Sequence, residues 1–397
     1  MVFNVYLASA IKCELNYNNM KTAYYLLAAS TLLLTFSCIS STGPDGPETV
    51  PPTVPVVTTA DFTDLSTSSV KVGGEVKEDG GAEVTARGIV YGDQANPTVE
   101  ASSITDEGTG TGVFESELSE LKASTTYYYR AYATNEAGTA YGEEKTFTTD
   151  MAEALTIAIN DNVSLEMVLV KPGTFAMGNP QWEAGFYYEG PVHNVTLTKS
   201  YYIGKFEVTQ AQWTAIMDSN PSYDIGDDIA VHQVSYNMCL QFVEGLNKKT
   251  GLTFSMPTEA QWEFAARGGV NSKGYMYAGS NDLAEVGWSM TTLAAEGIES
   301  TMPGGKKKPN ELGLYDMSGN VNEWVSDYFY SSGYEAGDAT DPTGPAEPSS
   351  EAKERVVRGG SGFLDDIFCT VYKRVGTYTS DNQGMDFGLR LVLNNDK

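Results

Sequence analysis

The stretch at 312–327, LGLYDMSGNVNEWVSD, constrains this chain more than any other. It sets a tight turn, Ser318-Gly319-Asn320, between two carboxylates, Asp316 and Glu323, and Trp324 follows directly. Gly319 can take a positive φ and bring backbone carbonyls close to a ligand. Asp316 and Glu323 then flank a bent, oxygen-rich arc, and hard cations such as calcium take mixed carboxylate and carbonyl oxygens. The alternative is that Asp316 and Glu323 pair with Arg358 or Arg390, or bond to the turn itself. Those two arginines lie in RVVRGGS at 355–361 and DFGLRL at 386–391.

Three earlier blocks belong with these: MVLVKPGTFAMG at 167–178, FEVTQAQW at 206–213 and MPTEAQWEFAARGG at 256–269. Each alone is a weak signal. In this order, over 165–393, they resemble the formylglycine-generating enzyme family, the sulfatase-modifying factors. The resemblance implies an irregular α+β fold, related to C-type lectin-like domains, over 155–397. It also implies a calcium site made of the Asp316 side chain, the carbonyls of Gly319 and Val321, and the Glu323 side chain. The family's other calcium site would fall near 285–288, which lacks the expected asparagine.

Oxidising members of the family hold copper between two cysteines that follow the RGGS-like block. Two thiolates are a soft pair suited to Cu(I). Here Cys369 fills the second position and Leu364 stands at the first, while Asn322 replaces a tryptophan of the oxygen pocket. Ser361 is retained. Losing a metal ligand removes the chemistry, so copper is not expected, and Cys369 and Ser361 are catalytic candidates only if an oxidase with an altered metal site exists here.

Composition narrows the remaining classes. The formal charge of −27 argues against nucleic-acid binding; the plain reading of the acidity is solubility. His193 and His232 are not at zinc-ligand spacing, and His193 reads as a strand-edge residue. There is no nucleophile elbow or phosphate loop; GTGTG at 108–112 reads as a turn. Lys306, Lys307 and Lys308 read as a solvated loop.

A length of 397 residues fits two or three domains. Residues 1–38 read as a signal segment with its start at Met20 and an apolar core too short to span a membrane. Thr35-Phe36-Ser37 before Cys38 resembles a bacterial lipobox, so lipidation of Cys38 would tether the chain to a membrane of the cell envelope, at the outer membrane or the cell surface; the alternative is an ordinary cleaved signal. Residues 39–55, rich in Pro, Gly, Ser and Thr, make a linker. Over 56–150, short alternating runs between turn signals read as a β-sandwich and resemble bacterial fibronectin type III modules. A spacer is the expected role, with glycan binding the lesser one. The fold class is therefore multi-domain: an all-β sandwich followed by an irregular α+β domain.

In the second domain, 167–177 and 201–208 read as strands. Thr209 and Thr258 open capping boxes for two helices, and Ser235 starts a third that Gly251 stops. Cys239 and Cys369 could pair, as secreted cysteines do, or stay as separate buried thiols. The segment 362–386 mixes aromatic and polar residues between the two regular flanks. Phe363, Leu364, Asp365, Tyr372 and Tyr378 are the candidate ligand-binding residues there, since tyrosine gives contact area at low entropic cost; Phe368 and Phe387 read as core. The layout resembles the variable ends of retroelement-diversified surface proteins, non-catalytic members that use this fold for binding. The reading is a surface lipoprotein that captures a protein or glycan without oxidase chemistry. The alternatives are a formylglycine-generating or other oxidase, and a structural partner in a secretion or glycan-uptake assembly.

Overall fold

In a computed structural model of the chain, residues 50–184, 187–348, 353–377 and 384–394 are described. The chain divides into two units between Pro51 and Pro52, and the described residues from Pro52 onward belong to the larger, compact one. Cys38 and the signal segment lie outside the described residues, as does Tyr378. No described helix is long and apolar enough to cross a membrane.

The N-terminal part of the larger unit is all β. One antiparallel sheet orders Val56–Thr59, Val70–Glu78 and Gly112–Leu118; the other orders Ser103–Ile104, Ala86–Gly92, Thr126–Asn135 and Gly138–Tyr141, with Lys145–Thr148 also on Thr126–Asn135. Alternation explains the burial. Phe114, Ser116 and Leu118 point inward from one sheet, Tyr127, Tyr129 and Ala131 from the other. They meet Val70, Val72, Ile89 and Phe147 in one core.

From Ala154 onward, among the described residues, three small sheets and five α-helices replace long regular elements. A five-stranded sheet orders Phe254–Ser255, Val392–Asn394, Tyr201–Gly204, Ser164–Val170 and Ala154–Ala158. A three-stranded sheet orders Gly173–Met177, His193–Leu197 and Ala339–Thr340. The run expected as one strand over 167–177 is thus two, broken at Lys171-Pro172, because proline has no N–H for a ladder. The strand expected over 201–208 stops at Gly204. There the chain turns to receive the arginine described below.

The helices are α1 (Gln210–Met217), α2 (Tyr236–Thr250), α3 (Glu259–Ala266), α4 (Leu283–Val286) and α5 (Met290–Glu296). Thr209 and Thr258 make both bonds of a capping box, Ser235 caps α2, and Gly251 ends it in the left-handed conformation. Trp213 of α1 stacks on Phe242 of α2 at 4.9 Å. Cys239 lies in the same core and Cys369 is buried elsewhere; both are free thiols, so the separate-thiol alternative holds.

The third sheet carries the distinctive blocks. It orders Arg374–Thr377, Arg355–Arg358, Asn322–Tyr328 and Phe387–Leu389. Asn322–Tyr328, the central strand, pairs antiparallel with Arg355–Arg358 and parallel with Phe387–Leu389, placing Glu323 opposite both Arg358 and Gly388. Beneath it α3 presents Glu259 and Glu263, one turn apart and buried. Arg358 bonds Glu259 at 2.8 Å, Glu263 at 2.6 Å and the Val371 carbonyl at 2.7 Å. Arg374 grips both oxygens of Glu259 at 2.7 Å, and Arg267 bonds Glu263 at 2.7 Å.

These charges hold the sheet to α3. Removing one partner of a buried, hydrogen-bonded pair leaves the others uncompensated and costs about 3–5 kcal/mol. Arg358→Met is therefore expected to lower the unfolding free energy by that amount in urea titrations, against about 1 kcal/mol for Thr258→Ala, which removes only a helix cap.

Candidate functional site

The turn at 318–320 is built as its sequence implies, but its carboxylates divide their roles. Gly319 has φ +92°, and a Cβ there would stand 1.9 Å from the Trp288 carbonyl oxygen, so only glycine fits. Its N–H bonds the Gly359 carbonyl at 2.7 Å, tying this block to RGGS. Glu323 is fully buried and committed to Arg390, with contacts of 2.7 and 3.0 Å, and to the Trp262 indole N–H at 2.6 Å. Arg390 spends its remaining donors on the carbonyls of Gly204 at 2.8 Å and Tyr315 at 2.9 Å. The paired alternative, with Arg390, is thus the arrangement of Glu323.

Asp316 differs. Its Oδ2 accepts the Gly305 N–H at 2.8 Å, while its Oδ1 is buried without a hydrogen-bond partner. A third carboxylate, Glu207, was not singled out by the sequence. It accepts the side chain of Asn320 at 2.6 Å and the N–H of Val321 at 3.1 Å, closing the turn from outside. Burial pushes Asp316 up to about 6, and burial with the charges of Asp316 and Glu323 pushes Glu207 well above the carboxylate range.

For calcium the fit is therefore divided. The orphaned Asp316 oxygen is the kind of atom a cation fills, and Gly319 and Val321 are placed beside it in the chain. Glu323 is spent on a guanidinium. No group of three or more His, Cys, Asp or Glu side chains able to hold a metal occurs among the described residues.

Beside this turn, Ser361 donates to Asp386 Oδ2 at 2.5 Å, and Asn322 donates to the same oxygen at 2.8 Å. Cys369 is buried, its Sγ is 4.0 Å from the Ser361 carbonyl, and burial raises its thiol to about 12. With Leu364 where a second thiol would stand, Cys369 is the single soft donor in this bed, short of the pair that Cu(I) favours. The Leu364 backbone is itself engaged, its carbonyl accepting Met290 N–H at 3.0 Å.

The loop over this bed separates the ligand-binding candidates. Phe363 is 40% exposed and Ile367, not a candidate, is 48% exposed, with Asp365 exposed between them. Leu364 and Tyr372 are half-buried, and Tyr372 packs against the second core cluster. Tyr372 thus belongs partly to the core, because it follows the buried Val371 on the same turn. Phe368 is half-buried, and Phe387 packs edge-on against Trp324 at 5.2 Å. His193 opens its strand opposite Met177, with Nδ1 3.1 Å from the Pro191 carbonyl.

The structure shows charged residues that sequence reasoning missed: Glu207, Glu259, Glu263, Asp327 and Arg374. The spacing of Glu259 and Glu263 on an otherwise apolar helix was the available signal, since buried carboxylates require partners.

Comparison with known proteins places this geometry. Residues 158–395 match the model of the sulfatase-modifying factor enzyme 1-like domain. The Chaperone protein LppX of Paenibacillus barcinonensis is 28% identical over 279 residues, 59% of this chain and 91% of that protein. The formylglycine-generating enzyme of Streptomyces coelicolor is 33% identical over 178 residues, 42% of this chain and 53% of the enzyme. The chain thus spans about half the length of that enzyme. Among solved structures, Treponema denticola variable protein 1 aligns over its whole length and 62% of this chain, at TM-score 0.54 and 26% identity. PvdO from Pseudomonas aeruginosa aligns over 99% of its length at TM-score 0.51 and 27% identity. The chain belongs to the sulfatase-modifying factor family through its C-terminal domain.

Proposed function

We propose that this domain captures a ligand, protein in preference to glycan, and performs no oxidase chemistry. The observation that carries the reading is the loop at 362–368. It displays Phe363, Asp365 and Ile367 outward over a hydrogen-bonded bed in which Cys369 is buried and burial raises its thiol to about 12. Loops held by a rigid scaffold are the usual carriers of binding, and exposed apolar side chains in such a place supply contact area. Likeness to a chaperone protein supports a protein ligand. The oxidase reading would need a second soft ligand where Leu364 stands.

The N-terminal sheets support a fibronectin type III-like spacer. Their two-sheet order and the bond from Lys122 N–H to the Tyr127 hydroxyl at 3.0 Å, at the start of a central strand, agree with such sandwiches. With lipidation at Cys38 and the linker, this spacer would hold the binding domain away from the envelope membrane. Cys38→Ala is expected to move the protein from the membrane fraction to the soluble one; retention in the membrane would exclude the anchor.

The binding reading is tested with the chaperone-type outcome in view. Phe363→Ser with Ile367→Ser should leave the melting temperature within a few degrees, because exposed substitutions stay within about 0.5 kcal/mol. The same pair should abolish any suppression by the wild-type protein of the aggregation of a chemically unfolded test protein. A Cu(I) titration should show no site that Cys369→Ser removes; a stoichiometric site lost in that variant would overturn the reading without oxidase chemistry.

Calcium at Asp316 is part of the same proposal, as a structural ion. A ligand bound only by the folded state raises stability by mass action. Chelation is expected to lower the melting temperature of the wild type and to leave Asp316→Asn unchanged. Equal melting of the wild type with and without chelator would assign Asp316 to the protonated state alone.

A further inference from the structure

The central strand has two ends. Asn322 lies at the end shared with Ser361 and Asp386; Asp327 lies five residues on, roughly 17 Å away at the rise of an extended chain. The Asp327 end opens into a cleft of about 650 Å³, within the range that holds small ligands. No motif in the sequence pointed to it.

Asp327 forms part of its floor and is 4% exposed. Its Oδ2 accepts the Glu259 N–H at 2.8 Å and the Ser326 hydroxyl at 3.0 Å. Its Oδ1 accepts no hydrogen bond from the described residues. Gly344, another lining residue, packs directly on this side chain: a Cβ there would stand 2.7 Å from Oδ1 and 2.8 Å from the Asp327 Cβ, so only glycine fits that wall.

The charge around it is one-sided. Glu335, Asp338 and Asp341 also line the cleft. Among the described residues, none of these three and not Asp327 is ion-paired to a lysine or arginine. Asp341 instead accepts from Thr198, and Asp338 from Asn194. The cleft's own arginine, Arg374, is spent on both oxygens of Glu259. Tyr330 and Pro342 add apolar wall, while Tyr328 already carries the Arg355 guanidinium over its ring at 3.4 Å.

We infer that this cleft receives a basic side chain of a peptide or protein, its ammonium or guanidinium seated on Asp327 Oδ1 and its methylene stem along the tyrosine wall. A long basic side chain divides in this way, with an apolar stem and a charged head. An anionic ligand would meet four uncompensated carboxylates. A neutral sugar can donate a hydroxyl to the carboxylate but brings no charge to offset its burial. The electrostatics agree. Burial, and then the Glu259 carboxylate from α3, raise Asp327 to about 7 against the pull of Arg374. An arriving cation relieves that cost by favouring the ionised form. His193 and Tyr334 are the other titratable groups of the cleft. The site is separate from the loop at 362–368, so the two can fail independently.

The test uses the full chain and four probes: the Nα-acetyl methylamides of lysine, arginine and norleucine, and methyl glucoside, followed by calorimetry at pH 8. The lysine or arginine probe is expected to bind at least about tenfold more tightly than norleucine, the scale of one charge-assisted hydrogen bond. Asp327→Asn should remove that preference while unfolding stays cooperative. Asp338→Asn with Glu335→Gln, both on the exposed rim, should weaken the basic probes severalfold and leave norleucine unchanged; this pair decides the matter if Asp327→Asn does not fold. Equal binding of lysine and norleucine, binding of the glucoside alone, no binding of any probe, or basic-probe affinity unchanged in the rim variant would each overturn the inference.

Discussion

Buried arginines hold this domain together. Arg358 and Arg374 lock the third sheet onto the carboxylates of α3, and Arg390 joins Glu323 to the carbonyls of Gly204 and Tyr315. Ionised groups of this size stay inside a protein only when paired and fully hydrogen-bonded. Guanidinium groups suit the task because several donors sit in one rigid plane and reach several acceptors at once. In a domain with small sheets and short helices, these contacts supply the registry that long ladders supply elsewhere.

The same economy of regular structure leaves surplus carboxylates. Glu207, Asp316 and Asp327 are buried beyond what the arginines neutralise, and burial is the first cause of each raised value. Such groups carry a proton or await a cation. They fall at opposite ends of one strand, Glu207 and Asp316 around the glycine turn and Asp327 under the cleft. The strand is thus both the mechanical centre of the sheet and the divider between two candidate sites.

At the glycine-turn end the exposed loop at 362–368 is tightly tethered. Ser289 bonds Asp366 at 2.5 Å, Asn320 accepts Gly362 N–H at 3.0 Å, and Ser361 holds Asp386. A loop anchored at so many points can exchange its outward side chains without disturbing the fold.

Local patterns determined much of this in advance. The capping boxes at Thr209 and Thr258, the stop at Gly251, the positive φ of Gly319 and the alternation of the N-terminal strands depend on neighbours a few residues away, and the chain states them directly. The ordered blocks likewise carried the family. What tertiary structure alone decided was which charge meets which. Arg374 lies 115 positions from Glu259, and Arg390 lies 67 from Glu323. It also decided that Tyr372 is half core, that Cys239 and Cys369 lie apart, and that Asp327 floors a cleft. Periodicity reports the face a residue presents to its own helix or strand. The partners of a buried charge are set by how distant segments pack, and no spacing along the chain encodes that.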